Sequence, residues 1–140
     1  MKRFFLLAFG FVFAIVAIAQ LVSPETLAKR AKRKNLILKE WNTDQKSKTR
    51  WLDRVTRYDQ EGRKIEEIEY ASYGQKWRIT IEYNDSTGLI TKEVEYDDRD
   101  KPVRIRKYDY NENGTKKRQY NYAPNGKLQT VKVFEYIFED

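Results

Sequence analysis

Beyond the first twenty residues the chain holds five glycines, and they keep step. Gly62, Gly88 and Gly114 are 26 residues apart, and Gly74, Asp100 and Gly126 follow with the same interval of 26. Tyr70, Tyr96 and Tyr122 share that step, as do Ile79, Ile105 and Val131. A fixed period of this length is the signature of a repeat architecture, in which each unit buries its surface against its neighbours. Each period carries two turn sequences. "DQEG", "DSTG" and "NENG" form one series, and "ASYG", "DDRD" and "APNG" the other. An Asp or Asn at the first position bonds the backbone two residues on, and Gly at the fourth takes the left-handed region at little cost. Asp100 stands in a glycine position, and Asp is among the residues that tolerate it.

Between turns, stretches such as "WRITIEY" and "KEVEY" alternate in character and are rich in β-branched and aromatic residues, the pattern of strands. Seven strands are expected, roughly over 51–58, 63–70, 75–84, 89–96, 101–110, 115–122 and 127–137, with "LILKEWN" as an additional one. Tight turns between neighbours make the fold class all-β, an antiparallel β-meander of 26-residue hairpin repeats with seven to nine strands. If each four-residue turn closes its hairpin, Trp77 faces Tyr96, Ile79 faces Val94, Trp51 faces Tyr70 and Val103 faces Tyr122. Ile68, Trp77, Ile79, Ile81, Val94, Ile105, Tyr120 and Val131 then share one face, while Glu67, Arg78 and Glu95 lie on the other. An apolar face of that size demands a cover, and the staggered pairing favours curling of the sheet into a half-barrel.

Glu67/Glu69 and Glu93/Glu95 have the two-residue spacing that brings carboxylates to one face, as a glycosidase needs. They recur with the period and are matched by arginines, so the expected reading is a ladder of ion pairs. The tyrosines are units of construction first. The exposed aromatic row of Trp51, Tyr70, Trp77, Tyr96 and Tyr122 is the candidate contact surface for an envelope protein or a glycan. The sequence contains no His and no Cys, no phosphate-cradling glycine loop and no metal-ligand cluster. No catalytic residue, metal or cofactor is expected.

"YDQEG", "YDYNENG" and "YNYAPNG" resemble YD repeats of the Rhs type, whose unit is Tyr-Asp followed by a glycine turn. The stretch around Trp41, Trp51, Tyr58, Asp59 and Gly62, with Trp77 opening the next unit, resembles repeats of secreted Bacteroidetes proteins. The resemblance covers about residues 40–136. It implies a β-hairpin repeat architecture and says nearly nothing about activity. About three units are too few to enclose a toxin, as the large Rhs shells do.

The N-terminus reads as a targeting segment. Lys2 and Arg3 precede an apolar run from Phe4 to Ile18, and Ala17-Ile18-Ala19 is an A-x-A site. Residues 1–19 are therefore expected to be a secretory signal peptide cleaved before Gln20, with an uncleaved anchor as the rival reading. Export across the inner membrane to the periplasm, the outer-membrane surface or the exterior follows. Without cysteine the exported chain has no disulfide.

Residues 20–35 form a basic arm, and the repeat domain occupies 36–140. Ser23 is a good N-cap, with Pro24 in the first turn, so the arm is expected to be helical and loosely attached. The net charge of +7 is concentrated here: residues 29–54 hold ten Lys/Arg against Glu40, Asp44 and Asp53. Lys29, Arg30, Lys32, Arg33 and Lys34 are either a solvated linker or a contact for an anionic membrane surface. Nucleic acid is not expected outside the cytoplasm. The sequence thus describes an exported, non-catalytic β-repeat protein with a binding or structural role. The alternative is a peripheral membrane or glycan-associated protein attached through its arm.

Overall fold

The computed structural model describes residues 21–140. The expected signal peptide and its cleavage point lie outside the described residues. Among the described residues a single short helix, α1 (Pro24–Ala31), precedes eight strands: β1 (Ile37–Thr43), β2 (Arg50–Tyr58), β3 (Lys64–Ala71), β4 (Gly74–Tyr83), β5 (Ile90–Tyr96), β6 (Pro102–Tyr110), β7 (Lys116–Tyr122) and β8 (Leu128–Val133). They form one antiparallel sheet in chain order, β1 to β8. The all-β meander expected from the repeat is the fold.

Local chemistry explains the turns. Asp59 Oδ1 accepts from the amides of Glu61 and Arg63 at 3.0 and 2.9 Å. The Gly62 amide closes onto the Asp59 carbonyl at 3.0 Å, with Gly62 at φ +75°. Asp97 repeats this plan with the Arg99 and Lys101 amides, closed by Asp100 at φ +61°. At Asn111 only the backbone closure recurs, with Gly114 at φ +87°; the Asn111 side-chain amide donates to Thr115 Oγ1, and Asn113 Oδ1 accepts from the Thr115 amide. The turn after β4 is longer: Asn84 pairs with Leu89, and its Oδ1 accepts from the Ser86 and Thr87 amides.

The expected register is corrected. Each hairpin carries a β-bulge, and six of the seven fall at the tyrosine just before the turn: Tyr58, Tyr70, Tyr83, Tyr96, Tyr110 and Tyr122. In the first hairpin Trp41 takes this place. A bulge sets two residues against one and moves the pairing beyond it. Where the three-residue turn adds a further step, the total displacement is two and the faces survive: Ile105, in place of Val103, faces Tyr122, and Val55 faces Ile68. On both sides of β4 the displacement is one. Arg78 therefore faces Tyr96, and Trp77 faces Glu69. A one-residue slip moves every side chain of a strand to the other face. Trp77, Ile79 and Ile81 accordingly lie opposite Glu69, Glu67 and Glu93, on the face away from Ile68, Val94, Ile105, Tyr120 and Tyr122.

This flip removes the reason for curling. Neither face is apolar throughout, and the sheet stays open and uncurled, with β1 and β8 as separate edges. Among the described residues the buried apolar side chains are Val55 and Ile81, and Thr56 is buried as well. The sheet is a single layer. Its remaining side chains are half-buried or exposed, and several arginines reach carboxylates on neighbouring strands.

The basic arm is docked, contrary to the expectation of loose attachment. The Ser23 hydroxyl caps α1 by accepting from the Thr26 amide at 3.2 Å. The arm then runs along the sheet end that carries the 59–62, 85–88 and 111–114 turns. A Cβ on Gly62 would stand 1.8 Å from the Arg30 carbonyl oxygen, one on Gly88 would stand 2.9 Å from Val22, and one on Gly114 would stand 2.9 Å from Leu21. The glycine period therefore has a second cause: the arm lies against those positions. Beyond α1, Asn35 at φ +55° turns the chain into β1. Its amide donates to Asp59 O, and the Tyr58 amide donates to Leu36 O, both at 2.9 Å.

Candidate functional site

The bulges decide where the tyrosines go. Lys64, Ile90 and Lys116 are the residues opposite Tyr58, Tyr83 and Tyr110, spaced by the repeat. Each has its carbonyl taken by a tyrosine hydroxyl from the following unit: Tyr83 to Lys64 at 2.8 Å, Tyr110 to Ile90 at 2.6 Å, and Tyr136 to Lys116 at 2.8 Å. A bulge leaves the ladder locally disrupted, and a neighbouring phenol supplies a donor there. Burial pushes the Tyr83 phenol up to about 12, with nearby Arg30 and Arg63 pulling the other way. Burial, then the Glu93 charge, raises Tyr110 as well.

Cations cover the rings. Arg78 lies 4.0 Å from the centre of the Tyr96 ring, Arg50 4.0 Å from Trp41, Arg33 5.4 Å from Tyr58 and Lys107 5.5 Å from Tyr122. Tyr83 has two partners, Arg63 at 5.0 Å and Arg30 at 5.5 Å. A guanidinium over an aromatic face is attracted by the ring quadrupole.

Of the expected contact residues, Trp51 and Tyr70 are brought together. With Leu52, Ala71, Ser72 and Gly74 they line an open depression of 560 Å³ at the end of the sheet opposite the arm, where Trp51 is exposed. Tyr96 and Tyr122 share a face with Tyr70 but are capped by Arg78 and Lys107. Trp77 is on the reverse face. The expected row of five aromatics is thus split between faces and partly covered.

The basic residues are also divided. Arg30 donates to the Gly88 carbonyl at 3.2 Å and stacks on Tyr83, and Arg33 covers Tyr58. Both are turned onto the sheet. Lys29 pairs with Glu25 at 3.0 Å on the exposed side of α1, and Lys32 and Lys34 are exposed. Between arm and turns lies a groove of 490 Å³, lined by Val22, Leu27, Arg30, Lys34, Glu61, Arg63 and Asp85 among others. Sequence reasoning missed its central group, Arg63, which is only 12% exposed. Its guanidinium pairs with Asp59 at 2.8 Å, Asp85 at 3.0 Å and Glu61 at 3.4 Å. Burial alone would raise the Asp59 carboxyl, but the Arg63 amide and guanidinium outweigh it and hold that group below its usual value. Asp59 and Asp85 stand one 26-residue period apart in successive turns, and the arginine after Gly62 was the available signal for this bridge.

Three of the four expected carboxylates are paired, in an altered arrangement, while Glu69 lies opposite Trp77. Glu67 meets Lys64 at 2.7 Å and Arg54 at 3.5 Å, Glu93 meets Arg106 at 3.5 Å, and Glu95 meets Arg104 and Arg106 at 3.5 Å. Arg78, expected on Glu67 and Glu95, instead joins Glu66 at 3.2 Å and Asp100 at 2.8 Å on the other face. Among the described residues no group of three or more His, Cys, Asp or Glu side chains could hold a metal ion, and no helix is long and apolar enough to cross a membrane.

No family model matches the sequence, and no curated protein matches it. Among solved structures, a TarM mutant from S. aureus, in complex with Fondaparinux, alpha-GlcNAc-glycerol and UDP, aligns with 79% of this chain. It does so at 14% identity and a TM-score of 0.30. The aligned part spans 22% of that chain, and a likeness this weak carries no argument.

Proposed function

We propose that the chain is an exported envelope or extracellular β-repeat protein of the YD-repeat type, with a binding or structural role and no catalytic one. The observation that carries this reading is the single-layer sheet. Its interior holds almost nothing, its buried-side arginines are paired with carboxylates, and both edges are left to contact other molecules. The Trp51–Tyr70 depression is the natural seat for a glycan ring or an apolar protein side chain, since an exposed indole beside a phenol offers a large contact area at low entropic cost.

The test uses the native host. Wild-type protein should fractionate with the envelope or the exterior, with a mature N-terminus at Gln20. A Trp51→Ala/Tyr70→Ala variant that keeps the wild-type β-sheet spectrum should lose its envelope association. Cytosolic protein that begins at Met1 would overturn export, and undiminished association of the variant would overturn the assignment of this surface. The alternative of attachment through the arm draws support from Lys29, Lys32 and Lys34, the cations left after Arg30 and Arg33 turn inward. It requires salt-sensitive binding to anionic vesicles that is lost on replacing these three lysines.

A further inference from the structure

The two edges of the sheet fit each other. Each exposes unpaired backbone groups along its length, the usual template for adding another strand. All of β1 and all of β8 are exposed, and neither strand contains a proline. With eight strands in alternating direction, β8 runs antiparallel to β1, so a second copy placed beside β8 continues the meander without reversing a strand. The contact would be of a kind the molecule already makes inside itself: an even-numbered strand meeting an odd-numbered one, as in β2/β3, β4/β5 and β6/β7.

The internal register sets the pairing. In β6/β7, Ile105 faces Tyr122, Arg106 faces Asn121 and Tyr108 faces Gln119. One 26-residue step carries Ile105, Arg106 and Tyr108 onto Val131, Lys132 and Phe134. The bulge carries Tyr122, Asn121 and Gln119 onto Trp41, Glu40 and Leu38. Val131 then faces Trp41, Lys132 faces Glu40 and Phe134 faces Leu38: two apolar pairs flanking an ion pair. Trp41 and Val131, each 43% exposed, and Leu38, 42% exposed, would gain a cover. A β8–β8 contact lacks this match, because β8 carries Lys132 and no acid.

From this complementarity we infer that the protein assembles head to tail with copies of itself, β1 of one molecule adding to β8 of the next. Such a contact is heterologous and open-ended, so it builds linear chains rather than a closed dimer. It extends the repeat from one molecule to the next and is independent of where the protein resides.

Two experiments on the protein as purified from its host test the inference. In sedimentation velocity, species beyond the dimer should grow with concentration. Glu40→Lys alone and Lys132→Glu alone should each raise the concentration needed by about tenfold, because each sets like charges opposite one another. An equimolar mixture of the two variants should restore assembly, since every mixed contact regains an opposite pair. In the second experiment, a Glu40→Cys/Lys132→Cys variant should give a ladder of disulfide-linked multimers on oxidation, because directly opposed Cα atoms lie within disulfide reach. The chain has no cysteine of its own, so the ladder reports this contact alone. A monomer at all concentrations overturns the inference. So does a failure of the mixture to rescue assembly, or cross-linking by Glu40→Cys alone, which would signal a symmetric β1–β1 pair.

Discussion

The Tyr110 hydroxyl donates to the Ile90 carbonyl across 2.6 Å, and Ile90 is the residue set against Tyr83 where the β4/β5 ladder breaks step. A phenol of one repeat therefore mends the irregularity of the repeat before it. Tyr110→Phe keeps the ring and removes the donor, leaving a part-buried carbonyl unpaired. The expected cost is about 1 kcal/mol of unfolding free energy, read by urea denaturation. Tyr136→Phe, at the exposed end of the series, should cost less.

The same tyrosines make the fold sensitive to alkali. Tyr83 is raised from the ordinary phenol value of 10.0 to about 12, first by burial, and Tyr108 and Tyr110 are raised too, again first by burial. A group whose folded pKa lies above its unfolded one contributes stability below the unfolded value and loses it as pH rises through the folded one. Stability should therefore decline from about pH 10 to 12. Tyr83→Phe should shallow that decline in a pH series of denaturation curves.

Acid should act through Asp59. Its folded pKa lies below 3.8, so its contribution is complete above that value and is lost as pH falls through the depressed one. Arg63→Met removes the guanidinium that bridges Asp59, Glu61 and Asp85. The variant should be less stable at neutral pH and should show a flatter loss below about pH 4. An unchanged acid limb would show that Arg63 is a bystander.

Gly62→Ala and Gly126→Ala separate two roles of the repeat glycine. Both positions have positive φ, +75° and +84°, so both substitutions incur the left-handed cost of about 1–2 kcal/mol. Gly126 has open space around it, whereas Gly62 abuts the Arg30 backbone. Gly62→Ala alone should release the arm, seen as faster hydrogen exchange over residues 23–34 and tryptic cleavage at Arg30.

The meander was legible because its signals are local. Asx-x-x-Gly turns and period-two strands each act over a few residues, and the repeat multiplied them. Pairing register was less legible, because it was reckoned from turn length as though every ladder were regular. The bulge at each pre-turn tyrosine has no compositional mark of its own. One mark did exist: Tyr83-Asn84-Asp85-Ser86-Thr87-Gly88 holds one residue more between Tyr and Gly than Tyr58-Asp59-Gln60-Glu61-Gly62. That extra residue is among the reasons β4 turned over. The docking of Arg30 and Arg33 was hidden for another reason. A basic run looks alike whether it faces solvent or a row of tyrosines, and only three-dimensional proximity distinguishes them.

In a chain of repeats each unit touches only its neighbours, so unfolding can stop anywhere along the row. The arm breaks that rule. Through Leu21, Val22 and Arg30 it touches the turns of all three units at once, spanning units that do not border one another. Fraying of one unit then loosens the hold on the others, and a one-dimensional array acquires the all-or-none melting of a globular domain.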